Sequence, residues 1–479
     1  MRCRIRAFAL HVVCCAASAT TSIDAQGNVA SGRPDVLGLE TFQQRVLANH
    51  PELAQIRNEQ AQARQQITVA KGAFDPKFSA ALTNKRFRNE PYYAATDLAL
   101  SVPTFFGADF KLGFERGVGA RINPERETSS GGLLTLGVSM PLARNLITDE
   151  RRTLLSRARA WSAIADAEAI TVTNNLLLRA TKAYAEWYLA YRKFVIADSS
   201  VRLAEFRLES VKARIQAGEN APIDSIEAQL EVRRRRVMIL EAQNEERIAA
   251  LDAVAFLWNT NGLPERVSAS AKPAIPLFPE TATDTTALGT WLNDARRVHP
   301  AVLKAEGKMA LEAADWRLNA QGLLPNVDVS VAALSKGDAV NPLLQPSIWD
   351  NNYKSAVTGS TSLLLRKERG KLQASALKVE SARLERDLEQ RRVAIEIQNA
   401  LSALVMLEAA VQLQRENVGS AALLRDAEEA RFVSGESTLL SVNLRERFLL
   451  DEVIKLEQFN AKILSARVAL ATARGIPAR

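Results

Sequence analysis

The sequence contains the same punctuated stretch twice, 217 residues apart. Residues 213–229 read ARIQAGENAPIDSIEAQ, and residues 430–446 read ARFVSGESTLLSVNLRE. In each copy a helical pattern stops at a glycine, Gly218 or Gly435, and restarts within a few residues. Glycine readily adopts the left-handed conformation that ends many helices, so each stretch predicts a helix that reverses direction. A chain with two such reversals is predicted to form two helical hairpins.

A second repeated stretch marks the start of each half of the chain. One copy begins at Leu39 and the other at Leu288, and the offset of 249 residues also relates His50-Pro51 to His299-Pro300. Such self-similarity predicts two similar structural units. The sequence is predicted to divide into a signal peptide (1–25), an N-terminal extension (26–38), a first repeat (39–262), a connector (263–287) and a second repeat (288–475).

The N-terminus has the layout of a secretory signal peptide. Three arginines precede an apolar stretch that ends in Ala17-Ser18-Ala19, and cleavage after Ala19 or after Ala25 fits this layout. All three cysteines lie in this segment, so the exported chain is expected to have no disulfide and no thiolate metal site. Lipid attachment at Cys15 is disfavoured, because the residues before it are not the small ones that such a site needs.

Each half has the same predicted order of elements: a helix, alternating strands, a very long helix, a turn and a return helix. The predicted helices cover residues 39–71, 148–217, 223–259, 288–321, 370–434 and 438–473. At a rise of 1.5 Å per residue, each of the two longest would extend about 100 Å. Helices of that length must lie along others, in the same chain or in copies of it. No stretch after the N-terminus is apolar enough to predict a membrane-spanning helix.

The segments between the helices alternate apolar and polar residues, which is typical of β-strands. The candidates are residues 77–87, 96–105, 108–117, 133–142, 326–335 and 356–365. Strands of about ten residues in an exported chain indicate an outer-membrane barrel. Two strands per half cannot close one, because about eight strands is the lower limit, so copies of the chain would have to share it. Six or eight strands per chain stay possible, although we expect the hairpin at 96–117 to lie outside the membrane.

The return helices carry apolar seams with the 3.5-residue spacing of coiled coils. The seam residues are Ile223, Ile226, Leu230, Val237 and Leu240 in the first, and Leu449, Val453, Leu456 and Ile463 in the second. At the turns, Pro222 suits the first turn of a new helix, where its missing N–H costs nothing. Ser437 is the expected cap of the other return helix.

The order of these features resembles the TolC family of outer-membrane efflux proteins over residues 37–476. The resemblance rests on the duplicated His-Pro helix start, on FDPKFSAAL and LLPNVDVSV before the strands, on SMPLARN after them, and on the two Gly-Glu turns. The family usually has Asn where His50 and His299 stand. The resemblance implies a mainly α fold with a membrane β-barrel portion, built as a homotrimer. Long helices would form an α-barrel tunnel across the periplasm, and four strands per chain would give a shared 12-stranded barrel in outer-membrane lipid.

The resemblance also places the two turns at the periplasmic entrance of the tunnel. There they would meet a periplasmic adaptor protein and, through it or directly, an inner-membrane pump. The entrance residues on this interpretation are Gly218, Pro222, Asp224, Gly435, Ser437, Ser441 and Leu444. Asp224 matches an Asp that follows the first turn in the family. Ser441 and Leu444 stand where some members carry two constricting Asp residues, so an acidic ring is absent. Asp224, Ser441 and Asn443 either form a polar constriction or simply pack at the turns.

Other chemistry has weaker support in the sequence. His50 and His299 either start helices or ligate a metal, and a metal site would need further ligands nearby. The run Arg233–Arg236 either binds nucleic acid or solvates and contacts helix faces, and export favours the second reading. No catalytic or cofactor motif stands out. The predicted function is a passive export duct for small molecules, metal ions or secreted substrates. The alternative is a periplasmic coiled-coil adaptor or scaffold protein.

Overall fold

The computed structural model describes residues 36–219, 221–265, 271–275, 283–336 and 352–476. The predicted signal peptide therefore lies outside the described residues, as do parts of the predicted extension and connector. The helices and strands follow the duplicated order that the sequence predicts. The predicted division points themselves stay predictions.

Eight helices occur in the described residues, four in each half. In the first half they are α1 (Leu39–Asn49), α2 (Pro51–Lys71), α3 (Glu150–Gln216) and α4 (Pro222–Val254). In the second half they are α5 (Leu288–Val298), α6 (Pro300–Gln321), α7 (Arg366–Val433) and α8 (Leu439–Ala473). With 67 and 68 residues, α3 and α7 are each about 100 Å long.

The predicted helices at 39–71 and 288–321 are each split in two, which corrects the sequence expectation. His50 and His299 have extended backbone, with ψ of 130° at both, because a residue that precedes proline disfavours the helical conformation. Each histidine then caps the following helix. Its Nδ1 accepts a hydrogen bond of 3.2 Å from the backbone N–H of Glu52 or Ala301. Both histidines are therefore helix-start residues.

The long helices pack side by side as a layer four helices wide. Towards the turns the order across the layer is α4, α3, α8 and α7, and towards the strands it is α2, α3, α6 and α7. The largest buried side chains, including Tyr184 and Trp187 of α3, pack with Phe42 and Leu176 where α1 and α2 meet α3 and α4. The two sides of the layer are thus formed by α2 and α4 on one side and by α7 on the other.

Six strands form one antiparallel sheet at the end of the layer that is remote from the turns. They are β2 (Lys77–Phe87), β3 (Glu90–Pro103), β4 (Asp109–Val118), β5 (Leu133–Pro141), β7 (Asn326–Lys336) and β8 (Tyr353–Ser360), paired in that order. Two short strands, β1 (Val36–Leu37) and β6 (Lys272–Pro273), pair in parallel beside the helices.

The sheet contains all six segments that alternation predicts as strands, and the count of four membrane strands per chain stays a prediction. The hairpin of β3 and β4 does not stand apart, because β3 pairs with β2 along its length and β4 pairs with β5. The last strand is shorter than the segment 356–365 suggests and ends at Ser360. Among the described residues, β2 and β8 each have only one neighbouring strand, so both edges of the sheet are open.

Candidate functional site

The two helix reversals have the same backbone hydrogen bonds. At the first turn Gly218, with φ of +81°, follows α3, and the N–H groups of Gly218 and Glu219 donate to the carbonyls of Ile215 and Arg214. At the second, Gly435 has φ of +80°, and Gly435 and Glu436 bond in the same way to Phe432 and Arg431. This is the Schellman arrangement, in which glycine fits because it lacks a Cβ. The predicted role of both glycines as helix ends is confirmed.

The helices restart differently at the two turns. Pro222 is the first residue of α4, as predicted. The predicted cap at Ser437 is wrong, because α8 begins one residue later than expected and Thr438 caps it through a hydrogen bond from Ser441 N to Thr438 Oγ1 at 3.3 Å. The hydroxyl of Ser437 instead donates to the carboxylate of Glu428 in α7.

The two turns lie next to each other. A small apolar cluster joins the two hairpins just behind the turns, with Val211 and Ala228 from the first and Leu439 and Phe432 from the second. The guanidinium of Arg214 also lies 5.7 Å from the centroid of the Phe432 ring. One chain therefore presents both turns as a single tip.

A buried charge network ties the hairpins together further from the tip. Arg207 of α3 forms an ion pair of 2.6 Å with Glu446 of α8, and Arg235 of α4 also bonds to Glu446. Arg235 bonds in addition to Glu231 at 3.1 Å, and Arg447 of α8 pairs with the same carboxylate. Three helices from both hairpins thus meet through charges that are paired and, apart from Arg447, buried.

The network sets the ionisation of its own members. Burial alone would raise the pKa of Glu446 and of Glu231, but the arginine hydrogen bonds and charges outweigh it and lower both pKa values. For Arg207 burial opposes the charge, and the partners Glu446 and Glu429 outweigh it and raise the pKa. All these groups are therefore charged at neutral pH.

The arginine run contacts other helices at Arg235, which is buried, and at Arg236, which is exposed but ion-paired. Arg235 lies in the buried network, and its Nη1 donates to the backbone carbonyl of Ser200 at 2.9 Å. Arg236 pairs with Glu205 of α3 at 2.7 Å. Arg233 and Arg234 are exposed. Half of the run therefore fastens α4 to α3, which agrees with the helix-contact reading.

The remaining predicted entrance residues differ in exposure. Asp224 in the first turn of α4 and Ser441 in α8 are half-buried, and Leu444 is exposed. Asn443 is 3% exposed, so its side chain packs inside the hairpin and is not available to line an entrance. A polar constriction on this chain would rest on Asp224 and Ser441 without Asn443.

The predicted seam of α4 does not pack inside the chain. Ile223, Ile226, Leu230, Val237 and Leu240 are all exposed, while α4 turns Ala228, Val232 and Arg235 towards its neighbours. Another apolar stripe is exposed on α7, in its half nearer the strands, with spacings of seven, four and seven residues, at Leu377, Leu384, Leu388 and Ile395. The exposed seams therefore lie on the two helices that flank the layer.

Helix α7 also contains one stretch that is long and apolar enough to cross a membrane by length and composition alone, and only 28% of that stretch is buried. This corrects the sequence-based prediction that no such stretch follows the N-terminus. The same helix carries the exposed seam. Its buried side chains Val393, Ile397, Leu401, Leu404 and Leu407 recur every three or four residues, which is typical of helix packing and not of an all-round lipid-facing surface.

The two faces of the sheet differ in polarity. One face, which we call the apolar face, carries Phe78, Leu98, Leu112, Leu136 and Val331 from five successive strands. The opposite, polar face includes Lys85, Asp97, Glu115, Thr135 and Lys354. The apolar face is exposed at many positions, among them Phe78, Leu82, Phe110, Leu112 and Val357. This two-faced pattern is typical of sheets that lie between an apolar and an aqueous environment, as in membrane β-barrels.

The histidines show no sign of metal ligation. No group of three or more His, Cys, Asp or Glu side chains in the described part of the chain is arranged to hold a metal ion. Burial lowers the pKa of His299 to about 4, with Arg392 adding to the effect. Burial also lowers the pKa of His50. Both rings are therefore neutral at pH 7, as their acceptor role at the helix starts requires.

Comparison with known proteins agrees with this architecture. A family model for outer membrane efflux proteins matches residues 43–259. The outer membrane efflux protein BepC of Brucella suis biovar 1 (strain 1330) is 24% identical over 307 residues, which is 63% of each chain. The alignment thus spans less than two thirds of that relative's length.

Solved structures share the fold over nearly the whole chain. The outer membrane protein VceC of Vibrio cholerae superposes with a TM-score of 0.62 at 16% identity, covering 91% of this chain and 96% of that one. The open state of the Neisseria gonorrhoeae MtrE outer membrane channel gives 0.62 at 14% identity, covering 93% of both chains.

The chain is therefore similar in sequence to outer membrane efflux proteins over residues 43–259 and shares the fold of such channels over nearly its whole length, in agreement with its resemblance to the TolC family.

Proposed function

We propose that this protein is the outer-membrane channel of a tripartite export system, a passive duct that performs no chemistry. The observation that carries the proposal is that the chain has surfaces suited to two environments, lipid and water. Its sheet has one apolar and one polar face, and its helix layer leads from that sheet to a charged tip about 100 Å away. The cargo would be small molecules, metal ions or secreted substrates, selected largely by the pump.

The working form is a homotrimer in which copies are arranged in a ring. The exposed seams lie on opposite sides of the helix layer, near the turns on α4 and nearer the strands on α7, so each copy has an apolar surface towards each of two neighbours. The open strands β2 and β8 are likewise at opposite edges of the sheet. A contact between one side of a copy and the opposite side of the next forms a ring when the rotation between copies closes, here after three copies. The ring would form an α-barrel tunnel from the helices and a shared β-barrel from the sheets.

The tip is the surface for the periplasmic adaptor protein, which would connect the duct to an inner-membrane pump. Gly218 and Gly435 are exposed at the ends of the hairpins, and the buried network behind them holds the two turns in one position. A rigid, exposed tip is suited to docking. The adaptor or scaffold alternative for the chain itself is disfavoured, because it gives no role to the apolar face of the sheet.

The proposal is tested by the mass of the detergent-extracted outer-membrane protein, measured by light scattering and corrected for bound detergent. Three chain masses, followed by single-channel conductance in a planar bilayer, are expected. One chain mass, or release of the protein by salt or alkali without detergent, would refute the trimeric duct and favour the scaffold.

A matched pair of variants tests the seam. Leu230→Glu places a charge in the exposed seam of α4, and Gln229→Glu places the same charge on the adjacent exposed position outside it. We expect the first to dissociate the trimer and the second to leave it intact, because only the first charge would be buried between copies. Equal behaviour of the two variants would show that the seam is not the contact.

A further inference from the structure

We propose that all six strands of each chain cross the membrane, so that the trimer encloses an 18-stranded barrel and not a 12-stranded one. The inference rests on the proposed trimeric duct and adds the strand count, and with it the width, of its outer-membrane pore. It depends on whether the hairpin of β3 and β4 belongs to the same lipid-facing surface as the other strands.

The strand register places this hairpin on the common apolar face. Residues that pair directly across an antiparallel sheet point to the same side. Leu100 pairs with Leu112, Leu112 with Leu136, and Leu136 with Ala333, which gives one apolar row across β3, β4, β5 and β7. A neighbouring row continues from Leu98 through Phe114. The hairpin contributes large apolar side chains to the rows at the same height as β5, which belongs to the barrel under either strand count.

The opposite side of the hairpin belongs to the aqueous interior. Asp109 of β4 lies on the polar face and forms a bidentate ion pair with Arg151 of α3, with one N–O distance of 2.9 Å. Asp109 also lines a polar cavity of about 710 Å³ at the junction of sheet and helices. The other strand residues that line this cavity are also on the polar face: Ser139, Pro141, Asn326, Asp328 and Ser360. The strands β4, β5, β7 and β8 therefore border the same aqueous space.

The hairpin also has the length of a membrane strand pair. A tilted strand needs about nine to eleven residues to cross the hydrocarbon layer, and β3 and β4 have 14 and 10. Aromatic residues stand at both ends, as in the girdles of membrane barrels. Phe105 and Phe106 are exposed in the turn between the strands, and Tyr92 packs edge-on against Phe87 at the far end.

Six strands also match the width of the helix layer. Strands about 4.8 Å apart and tilted by about 40° occupy roughly 38 Å of circumference if there are six, and roughly 25 Å if there are four. Four helices at interaxial distances of about 8 to 10 Å occupy roughly 32 to 40 Å. A sheet of six strands therefore continues a wall of four helices at nearly constant circumference, whereas four strands would require the wall to narrow.

The consequence is a wide pore. By the same geometry the backbone diameter of the barrel would be about 36 Å with eighteen strands against about 24 Å with twelve. Barrels of sixteen to eighteen strands leave an aqueous channel. Control of passage would then fall on the tip and not on the membrane portion.

The test is lipid exposure of single labelled cysteines in proteoliposomes that contain brominated phospholipid, which quenches a fluorophore in contact with acyl chains. Leu100→Cys and Leu112→Cys report the apolar face of the hairpin. Ser101→Cys and Lys111→Cys, which pair with each other on the polar face, are the matched controls. Leu136→Cys on β5 reports a strand expected in lipid in either barrel. Leu98→Cys and Phe114→Cys replace the first pair if it is not exported as a trimer.

We expect quenching at positions 100 and 112 to be as strong as at position 136, and no quenching at positions 101 and 111. Together with a measured mass of three chains, this result means that eighteen strands cross the membrane. Quenching at 136 alone would place the hairpin outside the membrane and overturn the inference while leaving the duct intact. No quenching at 136 would overturn the proposed function, and the strand count with it.

Discussion

Replacing Glu446 by Gln should loosen the tip. The carboxylate of Glu446 is 3% exposed and lies between the guanidinium groups of Arg207 and Arg235. Breaking a buried ion pair by removing one partner costs about 3 to 5 kcal/mol, because a charge is left buried without compensation. Here Arg235 retains Glu231, and Arg207 retains a longer contact of 3.4 Å to Glu429. The lower end, about 3 kcal/mol, is therefore the expected cost.

The cost applies to opening of the hairpin ends and not to unfolding of the whole trimer. Amide hydrogen exchange, measured peptide by peptide, reports that local opening. About 3 kcal/mol corresponds to roughly a hundred-fold faster exchange in residues 201–216 and 439–450. Exchange near the sheet, for example in residues 150–165, should not change.

Arg234→Gln is the matched control. Arg234 belongs to the same arginine run and lies 3.8 Å from Glu231, but its side chain is 56% exposed. Exposed pairs contribute about 0 to 1 kcal/mol, so exchange should rise at most a few-fold. If Glu446→Gln accelerates exchange no more than Arg234→Gln does, the buried network does not hold the hairpins together and the reasoning is wrong.

Further predictions concern pH, the turns and the helix cap. The pKa of Glu446 is lowered in the fold, so the stability that its ionised carboxylate contributes is complete above about pH 4.5 and is lost as the pH falls through the lower folded pKa. Hydrogen exchange at the tip of the unmutated protein should therefore accelerate only below about pH 4.5. His299 has a pKa of about 4 in the folded protein against 6.5 for a free histidine, so the free energy of unfolding should decline by up to about 3 kcal/mol as the pH falls from 6.5 to 4. The variant His299→Asn keeps a cap acceptor but does not titrate, so its melting curves should lack this part of the pH dependence. Gly218→Ala and Gly435→Ala should each cost about 1 kcal/mol or more of local stability by hydrogen exchange, because φ is positive, whereas Gly419→Ala inside α7 should be neutral or stabilising. Thr438→Ala should fray the start of α8 by about 1 kcal/mol in the same assay.

The turns and the strands could be predicted from sequence because their causes are local. A glycine that ends a helix and a proline that starts one act within a few residues, as at Gly218 and Pro222. The same proline rule accounts for the break at His50, since Pro51 follows it. Alternation of apolar and polar residues likewise indicated each strand of the sheet.

The contacts between distant segments could not be predicted in this way. Arg235 stands in a run of four arginines that the sequence does not distinguish from one another. Its partner in the buried ion pair, Glu446, is 211 residues away along the chain. The seam of α4 has coiled-coil spacing, but spacing does not say whether the partner is a helix of the same chain or of another copy. The number of strands in the sheet could not be predicted for the same reason, because alternation identifies a strand but not the strands that pair with it.

The two kinds of open surface on this chain restrict how copies can assemble. Strand β2 directly follows α2, so the β2 edge belongs to the side of the layer formed by α2 and α4. Strand β8 directly precedes α7, which forms the other side. A copy that pairs its β8 with the β2 edge of a neighbour thus brings its α7 against the side of that neighbour formed by α2 and α4. A two-fold dimer would instead join like edges and leave one strand edge and one seam open, which in lipid exposes unpaired backbone groups. Only a ring satisfies both surfaces with one kind of contact, so disruption of the α4 seam should also open the barrel.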